Sequence, residues 1–398
     1  MNSWTLAQRA IKMNPSALQE IIKTTSQPGI INFAGGLPAP ETFPVEEISA
    51  ACAWVFKDAP SEDLQYCATE GYFPLREAIA NNLPWSVDPS SVLIINGGQQ
   101  ALDLVAKVLI DPAQRILVES PTYLGALHAF STAAPSIDGV ANDADGLSIS
   151  DLESQLLRNK KKARFLYMLP NFQNPTGCSI TEGRRQELSE YACSVNLPII
   201  EDDPYGDLWF TQRPPLSLTA RNPAICAYIG SFSKILSPGL RLGYIIAPPA
   251  LYTKLLQAKQ ACDMHTPGLI QRMVYKLMKD GFIERHIPSV RSAYKIRCET
   301  MLAALSVEMK GLGVRWNSPG GGLFIWAKLP KSMDATEFVP EAIKRGVAYL
   351  PGAHFYAQEP DNSSFRLCFA NSSQQTIQTG IAALAQGIRE RLQPIVSI

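Results

Sequence analysis

SVLIINGGQQALDLVAKVLIDPAQRILVES, residues 91–120, carries two short apolar runs separated by an amphipathic stretch. SVLIIN (91–96) and RILVES (115–120) read as strands, and GQQALDLVAKVLI (98–110) has the spacing of a helix. The alternation continues in both content and length. TYLGALHAFST (122–132) reads as a helix, SIDGV (136–140) and RFLYMLP (164–170) as strands, and TEGRRQELSEYACSV (181–195) as a helix. NLPIIEDD (196–203) and AICAYIGS (224–231) are two further strands. Continuous apolar strands separated by helices predict a mostly parallel sheet covered on both faces, which binds ligands at the carboxyl ends of its strands.

Beyond about residue 280 the texture changes. A long charged helix (284–310) leads to PGGGLFIWAKL (319–329), then a helix (335–346), the strands VAYLP (347–351) and SFRLCFA (364–370), and a terminal helix (374–392). That order predicts a smaller α+β domain with its own core. The expected division is an N-terminal arm, residues 1–45, a large domain, 46–284, and a small domain, 285–398, to which the arm contributes.

The chain has 398 residues, with 36 Lys plus Arg against 36 Asp plus Glu and 46% hydrophobic residues. The length suits two domains, and the hydrophobic content argues against disorder. A net charge of zero and a pI near 6.9 argue against nucleic acid or an anionic membrane as a partner. The eight cysteines form no C-x-x-C, the four histidines form no H-x-x-H, and no metal is expected. Residues 1–23 lack a basic head followed by an apolar block, and no apolar run approaches the ~20 residues that span a bilayer. A cytoplasmic protein with reduced thiols is expected.

Four segments carry chemistry. In SFSKILSPGLRLGYIIAPP (231–249), Lys234 follows a strand beside Ser231 and Ser233, with Arg241 seven residues on. One amine among donors suited to a phosphate is a candidate Schiff-base nucleophile, because neighbouring cations lower its pKa. PIIEDDPYGDL (198–208) ends a buried strand on three acids, which is costly unless a cation meets them. NGGQQALDL (96–104) joins strand to helix through glycine and presents backbone N–H groups of Gly98, Gln99 and Gln100 to an anion. Arg366, inside the apolar strand SFRLCFA, requires an anion, either a ligand carboxylate held bidentately or an internal Asp or Glu.

Together with NFQNPTG (171–177), ESPTYLGAL (119–127), LQYCATEGYFPLREAIA (64–80) and INFAGGLPAPETFP (31–44), these segments strongly resemble the pyridoxal-phosphate aminotransferases of class I/II, fold type I. The resemblance covers roughly residues 15–390 and is nearest to the 2-aminoadipate, kynurenine and aromatic aminotransferase subgroup. The aminotransferase module of MocR-type regulators is similar too. The resemblance implies a three-layer α/β/α large domain around a mostly parallel seven-stranded sheet, and a smaller α+β domain.

The resemblance also implies roles. Lys234 would bear pyridoxal 5'-phosphate as a Schiff base and move the substrate proton; Asp202 would face the pyridine nitrogen, with Glu201 and Asp203 unassigned. Asn174 and Tyr205 would meet the phenolic oxygen, and Tyr123 would stack on the ring. Gly98, Gln99, Gln100, Ser231, Ser233 and Arg241 would hold the phosphate. Tyr66 would reach the phosphate of the other subunit in a homodimer with shared sites. Arg366 and Asn174 would bind the substrate carboxylate under a loop containing Gly35 and Gly36.

The implied activity moves the amino group of an L-amino acid (aromatic, aliphatic or 2-aminoadipate-like) to a 2-oxo acid, with 2-oxoglutarate as the expected acceptor. A lyase or decarboxylase would use the same Lys, Asp and Tyr. A regulator would need a DNA-binding domain, for which the chain shows no basic face. In some relatives the first helix supplies a cation for an acidic side chain; here NPSALQEIIK (14–23) offers neutral Gln19, with Lys23 a turn later, which leaves room for a broad donor range.

Overall fold

The computed structural model describes residues 4–11, 29–58, 61, 64–159 and 161–393. After β1 (Ile31–Asn32), the strands β2 (Val92–Ile95), β3 (Arg115–Ser120), β4 (Ser136–Asp143), β5 (Gly146–Leu147), β6 (Ala163–Met168), β7 (Ile199–Asp203), β8 (Cys226–Ser231) and β9 (Gly243–Ile246) form one sheet in the order β2-β9-β8-β7-β6-β3-β4-β5. The pairs among β4, β3, β6, β7 and β8 are parallel; β9 runs antiparallel to both β8 and β2. Seven strands thus make the sheet expected from the sequence, and the two-residue β5 extends its edge.

The central strands are buried along nearly their whole length, which is why they read as unbroken apolar runs. The helix Gly98–Leu109 buries Ala101, Leu102, Leu104, Val105 and Ala106 in the main core. A fully buried leucine or valine contributes about 1.5–3 kcal/mol. Among the described residues, no helix is long and apolar enough to cross a membrane.

A second sheet, β10 (Arg315–Trp316), β11 (Phe324–Lys328), β13 (Leu350–Pro351) and β14 (Ser364–Cys368), has the order β10-β11-β14-β13, all antiparallel. Between them in sequence, β12 (Val347–Ala348) pairs with β1 in parallel, so the N-terminal segment joins the smaller lobe. The sequence boundary at 284/285 falls inside one continuous helix, Phe282–Glu308, which links the two lobes.

Glycines bring the lobes together. Gly322 N–H donates to Leu208 O at 2.9 Å and Phe210 N–H to Gly320 O at 2.8 Å. A Cβ on Gly321 would lie 2.5 Å from Leu208 O, so this position can press on the segment after β7 only as glycine. Gly177, at φ +70°, would likewise set a Cβ 2.5 Å from Phe324 O. The loop after β6 therefore lies directly against β11.

Candidate active site

Five parallel strands end on one edge of the large sheet and carry the site. Asn96–Gly98 follow β2, Tyr123 follows β3, residues 171–177 follow β6, Asp202 is the penultimate residue of β7, and Ser231 closes β8.

Strand alternation sorts the three acids of β7. Glu201 is fully buried and accepts Leu218 N–H at 3.0 Å, Thr219 N–H at 2.8 Å and the Thr219 hydroxyl at 2.7 Å, which caps the short helix Leu218–Arg221. Asp203, pointing the same way, accepts from Asn171 Nδ2 at 2.8 Å and the Tyr228 hydroxyl at 3.2 Å. Asp202 points to the opposite face. It is 6% exposed, and its hydrogen-bond donor is the Tyr167 hydroxyl at 2.7 Å. Among the described residues it has no ion-pair partner. Burial pushes its carboxyl up to about 7, against the lowering effect of Tyr167. A cation arriving there would find a carboxylate with nothing to displace.

Asn174 is buried between two partners. Its Oδ1 accepts from Arg366 Nη1 at 2.6 Å, and its Nδ2 donates to the Tyr205 hydroxyl at 3.5 Å. Arg366 is 3% exposed, in the middle of the small-lobe sheet, where it pairs with Trp326 of β11 and Leu350 of β13. Its Nη2 donates to Ala34 O at 2.6 Å, and its guanidinium lies over the rings of Phe324 at 4.2 Å and Phe355 at 5.1 Å. Its Nε has no partner, and among the described residues no Asp or Glu pairs with it. The internal salt bridge allowed by the sequence is therefore not made. Burial pushes the guanidinium pKa down.

Lys234 Nζ donates to Gly36 O at 3.1 Å. Burial first, then the charges of Arg366 and Arg241, pull its amine down to about 8. A Cβ on Gly36 would come within 2.9 Å of the Phe324 ring, so glycine is required where this loop crosses the site. Tyr123 is half-buried at the start of the helix Leu124–Ser131. It packs against the main core, and its hydroxyl pKa is raised by burial and by the charge of Asp202.

At the other end, Ser233 N–H donates to Ser231 Oγ at 3.1 Å, and Arg241 sits in left-handed backbone at φ +49° with Nη2 3.3 Å from Asn96 O. In the turn after β2, Gln100 N–H donates to Gly97 O at 3.0 Å, and its side chain accepts from Asn96 N–H at 2.8 Å and donates to Asp263. The glycine the geometry demands is Gly97, at φ +79°, where a Cβ would meet Arg241 Nη2 at 2.7 Å, whereas one on Gly98 would meet nothing within 4 Å. Gly98 and Gln99 contribute amides at the helix start, and the Gln99 side chain donates to Gly125 O at 3.1 Å.

Tyr66 is 74% exposed and packs edge-on against His265, 5.7 Å between centroids. Gln19 lies outside the described residues. Sequence reasoning missed Tyr167, Gly97, the Ala34 carbonyl and the rings of Phe324 and Phe355. Of these, only Gly97 carried a signal, as the first glycine of its turn.

The carboxyl edge of the large sheet thus brings together an amine, Lys234, a buried carboxylate, Asp202, and a helix start at Gly98, and the small-lobe sheet adds Arg366 through Asn174; among the described residues Asp202 has no cation and Arg366 no acid. The chain belongs to the family "Aminotransferase class I and II", whose profile matches residues 29–384. It is 40% identical to the 2-aminoadipate transaminase of Thermus thermophilus, over 97% of this chain and 98% of that protein. It is 38% identical to aromatic-amino-acid aminotransferase 1 of Thermococcus litoralis, over 97% and 94% of the two chains. The solved alpha-aminoadipate aminotransferase of T. thermophilus, in complex with N-(5'-phosphopyridoxyl)-L-leucine, superposes with a TM-score of 0.91 at 38% identity, covering 97% of this chain and 98% of that one. The protein is a pyridoxal-phosphate-dependent aminotransferase of fold type I.

Proposed function

We propose that this enzyme transfers the amino group of a broad set of L-amino acids, aromatic, aliphatic and 2-aminoadipate-like, to 2-oxoglutarate. The observation that carries the residue roles is the pair of buried charges that, among the described residues, are unmatched: Asp202 without a cation and Arg366 without an acid. The breadth of donors is supported by relatives named for 2-aminoadipate and for aromatic amino acids, and by the leucine adduct in the structural relative.

In this reading Asp202 holds a proton at the cofactor's ring nitrogen. Asn174 and Tyr205 meet its phenolic oxygen, and Tyr123 covers its face. Gly98, Gln99, Ser231, Ser233 and Arg241 hold its phosphate. When bound, pyridoxal phosphate supplies the electron sink that makes the substrate Cα acidic. Arg366, steadied by Asn174, takes the substrate carboxylate in a bidentate grip and so aims the Cα–H bond. The Lys234 amine, tuned to about 8, then accepts the Cα proton near neutral pH.

We further read the chain as a cytoplasmic homodimer in which exposed Tyr66 serves the partner's phosphate, with residues 46–284 and 285–398 as its two domains and residues 1–45 as an arm to the smaller one.

The test is a panel of amino donors against 2-oxoglutarate and pyruvate, with absorbance following the cofactor. Donors of all three classes should leave the enzyme in the pyridoxamine phosphate form. Lys234→Ala should bind the cofactor yet lose turnover by about 10³-fold or more. Unimpaired transamination by that variant, or release of carbon dioxide without the amine form, would overturn the reading.

A further inference from the structure

Lys259 is fully buried in the helix Pro249–Asp263, which follows the segment that carries Lys234 and Arg241. A buried ammonium needs acceptors, and it finds both oxygens of Asp263 at 3.0 Å and Gln100 Oε1 at 3.2 Å. Asp263 does more than neutralise it. Its Oδ2 also accepts from Asn96 Nδ2 at 2.6 Å and from Gln100 Nε2.

Asn96 is consequently held at three points. Its side-chain amide is on Asp263, its N–H is on Gln100 Oε1 at 2.8 Å, and its carbonyl accepts Arg241 Nη2 at 3.3 Å. Gly97 leaves the space through which that guanidinium passes. The next residues, Gly98 and Gln99, begin the helix whose free N–H groups face the cup.

We infer that Asp263 is a positioning residue for the cofactor phosphate: through Asn96 and Gln100 it fixes the turn 96–98, and with it the amides of Gly98 and Gln99 and the guanidinium of Arg241. The inference rests on the reading of this turn as the phosphate cup. Asp263 does not contact Asp202, Asn174 or Tyr205, which serve the ring end, so its influence is confined to the phosphate end.

Asp263→Asn tests this, because it keeps the shape but turns an N–H₂ or a weaker acceptor toward three donors. Full-length protein stripped of cofactor is titrated with pyridoxal 5'-phosphate and, separately, with pyridoxal, which lacks the phosphate. The variant should bind the phosphate ester about tenfold to a hundredfold more weakly while its affinity for pyridoxal changes by less than about twofold. Equal losses for both compounds would mark a general structural role, and no loss for either would mark none; both overturn the inference.

Asn96→Ala removes one arm of the network without unpairing Lys259 and should show the same selective loss, about threefold to tenfold. It decides the matter if Asp263→Asn does not fold. Failure of the unaltered protein to bind pyridoxal phosphate at all would instead sink the functional reading.

Discussion

Glu201 and Asp202 are consecutive residues of one strand, both buried, and their surroundings are opposites. Glu201 accepts three hydrogen bonds from Leu218 and Thr219 and holds a helix end in place. Asp202 accepts one, from Tyr167. Two buried arginines repeat the contrast. Arg185 spreads its donors over Ile180 O, Pro170 O, Pro215 O, Leu216 O and Asn171 Oδ1. Arg366 has Asn174 and Ala34 O, with its Nε unmatched. A buried polar group left short of partners costs stability, so a fold that keeps two such groups in one site is arranged for something that completes them. Glu201 and Arg185 are met by their own chain; Asp202 and Arg366 are left short of partners among the described residues.

The contrast can be broken by exchange of matched pairs. The largest effect is expected from Asp202→Asn, which should lower kcat about a hundredfold to a thousandfold because, on the proposed reading, the ring nitrogen would lose its ionic partner. Steady-state kinetics would read it, and a loss below about tenfold would place the electrostatic role elsewhere. Arg366→Met comes next. The KM for both amino acid and oxo acid should rise about a hundredfold, with cofactor affinity unchanged. If cofactor affinity fell and KM held, Arg366 would belong to the phosphate instead. Glu201→Gln should do the reverse of both: kcat unchanged, with stability down by about 1–3 kcal/mol in urea unfolding, since an amide cannot accept all three bonds. A catalytic loss in that variant would erase the distinction between neighbours.

This distinction was only half visible in the sequence. Three acids ending a buried strand announced a cation, and period-two alternation required that Asp202 face away from Glu201 and Asp203. Which face held the ligand depended on the strand neighbours, and Tyr167 reaches Asp202 from β6, 35 residues away. The parallel strands were legible because burial on both faces leaves an unbroken apolar run. The helix Pro249–Asp263 was not, because the residues it fully buries are Leu255 and Lys259, too narrow a stripe for a helical period. β9 was hidden for another reason: four residues inside a motif carry no periodicity. The place of Gln100 was hidden on the same account, since its partner Asp263 lies 163 residues further on.

The smallest effect tests the contrast most directly, and its sign is unusual for a site residue. An aspartate in the unfolded chain ionises near 3.8, whereas burial keeps Asp202 of the folded protein protonated up to about 7. Between those values the folded protein carries a proton that the unfolded chain has lost, so its stability falls as pH rises through that window. The neutral amide introduced by Asp202→Asn would not titrate and would still accept from Tyr167. Cofactor-free Asp202→Asn should therefore match the cofactor-free parent near pH 4 and exceed it by about 1–3 kcal/mol above pH 7. Asp203, also pushed up to about 7 but on the other face, imposes the same slope on both proteins and drops out of the difference. Paired urea titrations from about pH 4 to about pH 8 would read the gap. Saturating pyridoxal phosphate should then reverse it, because the carboxylate has met its cation. A gap that does not open with pH, or that the cofactor leaves untouched, would mean that Asp202 is as well matched in the empty fold as Glu201.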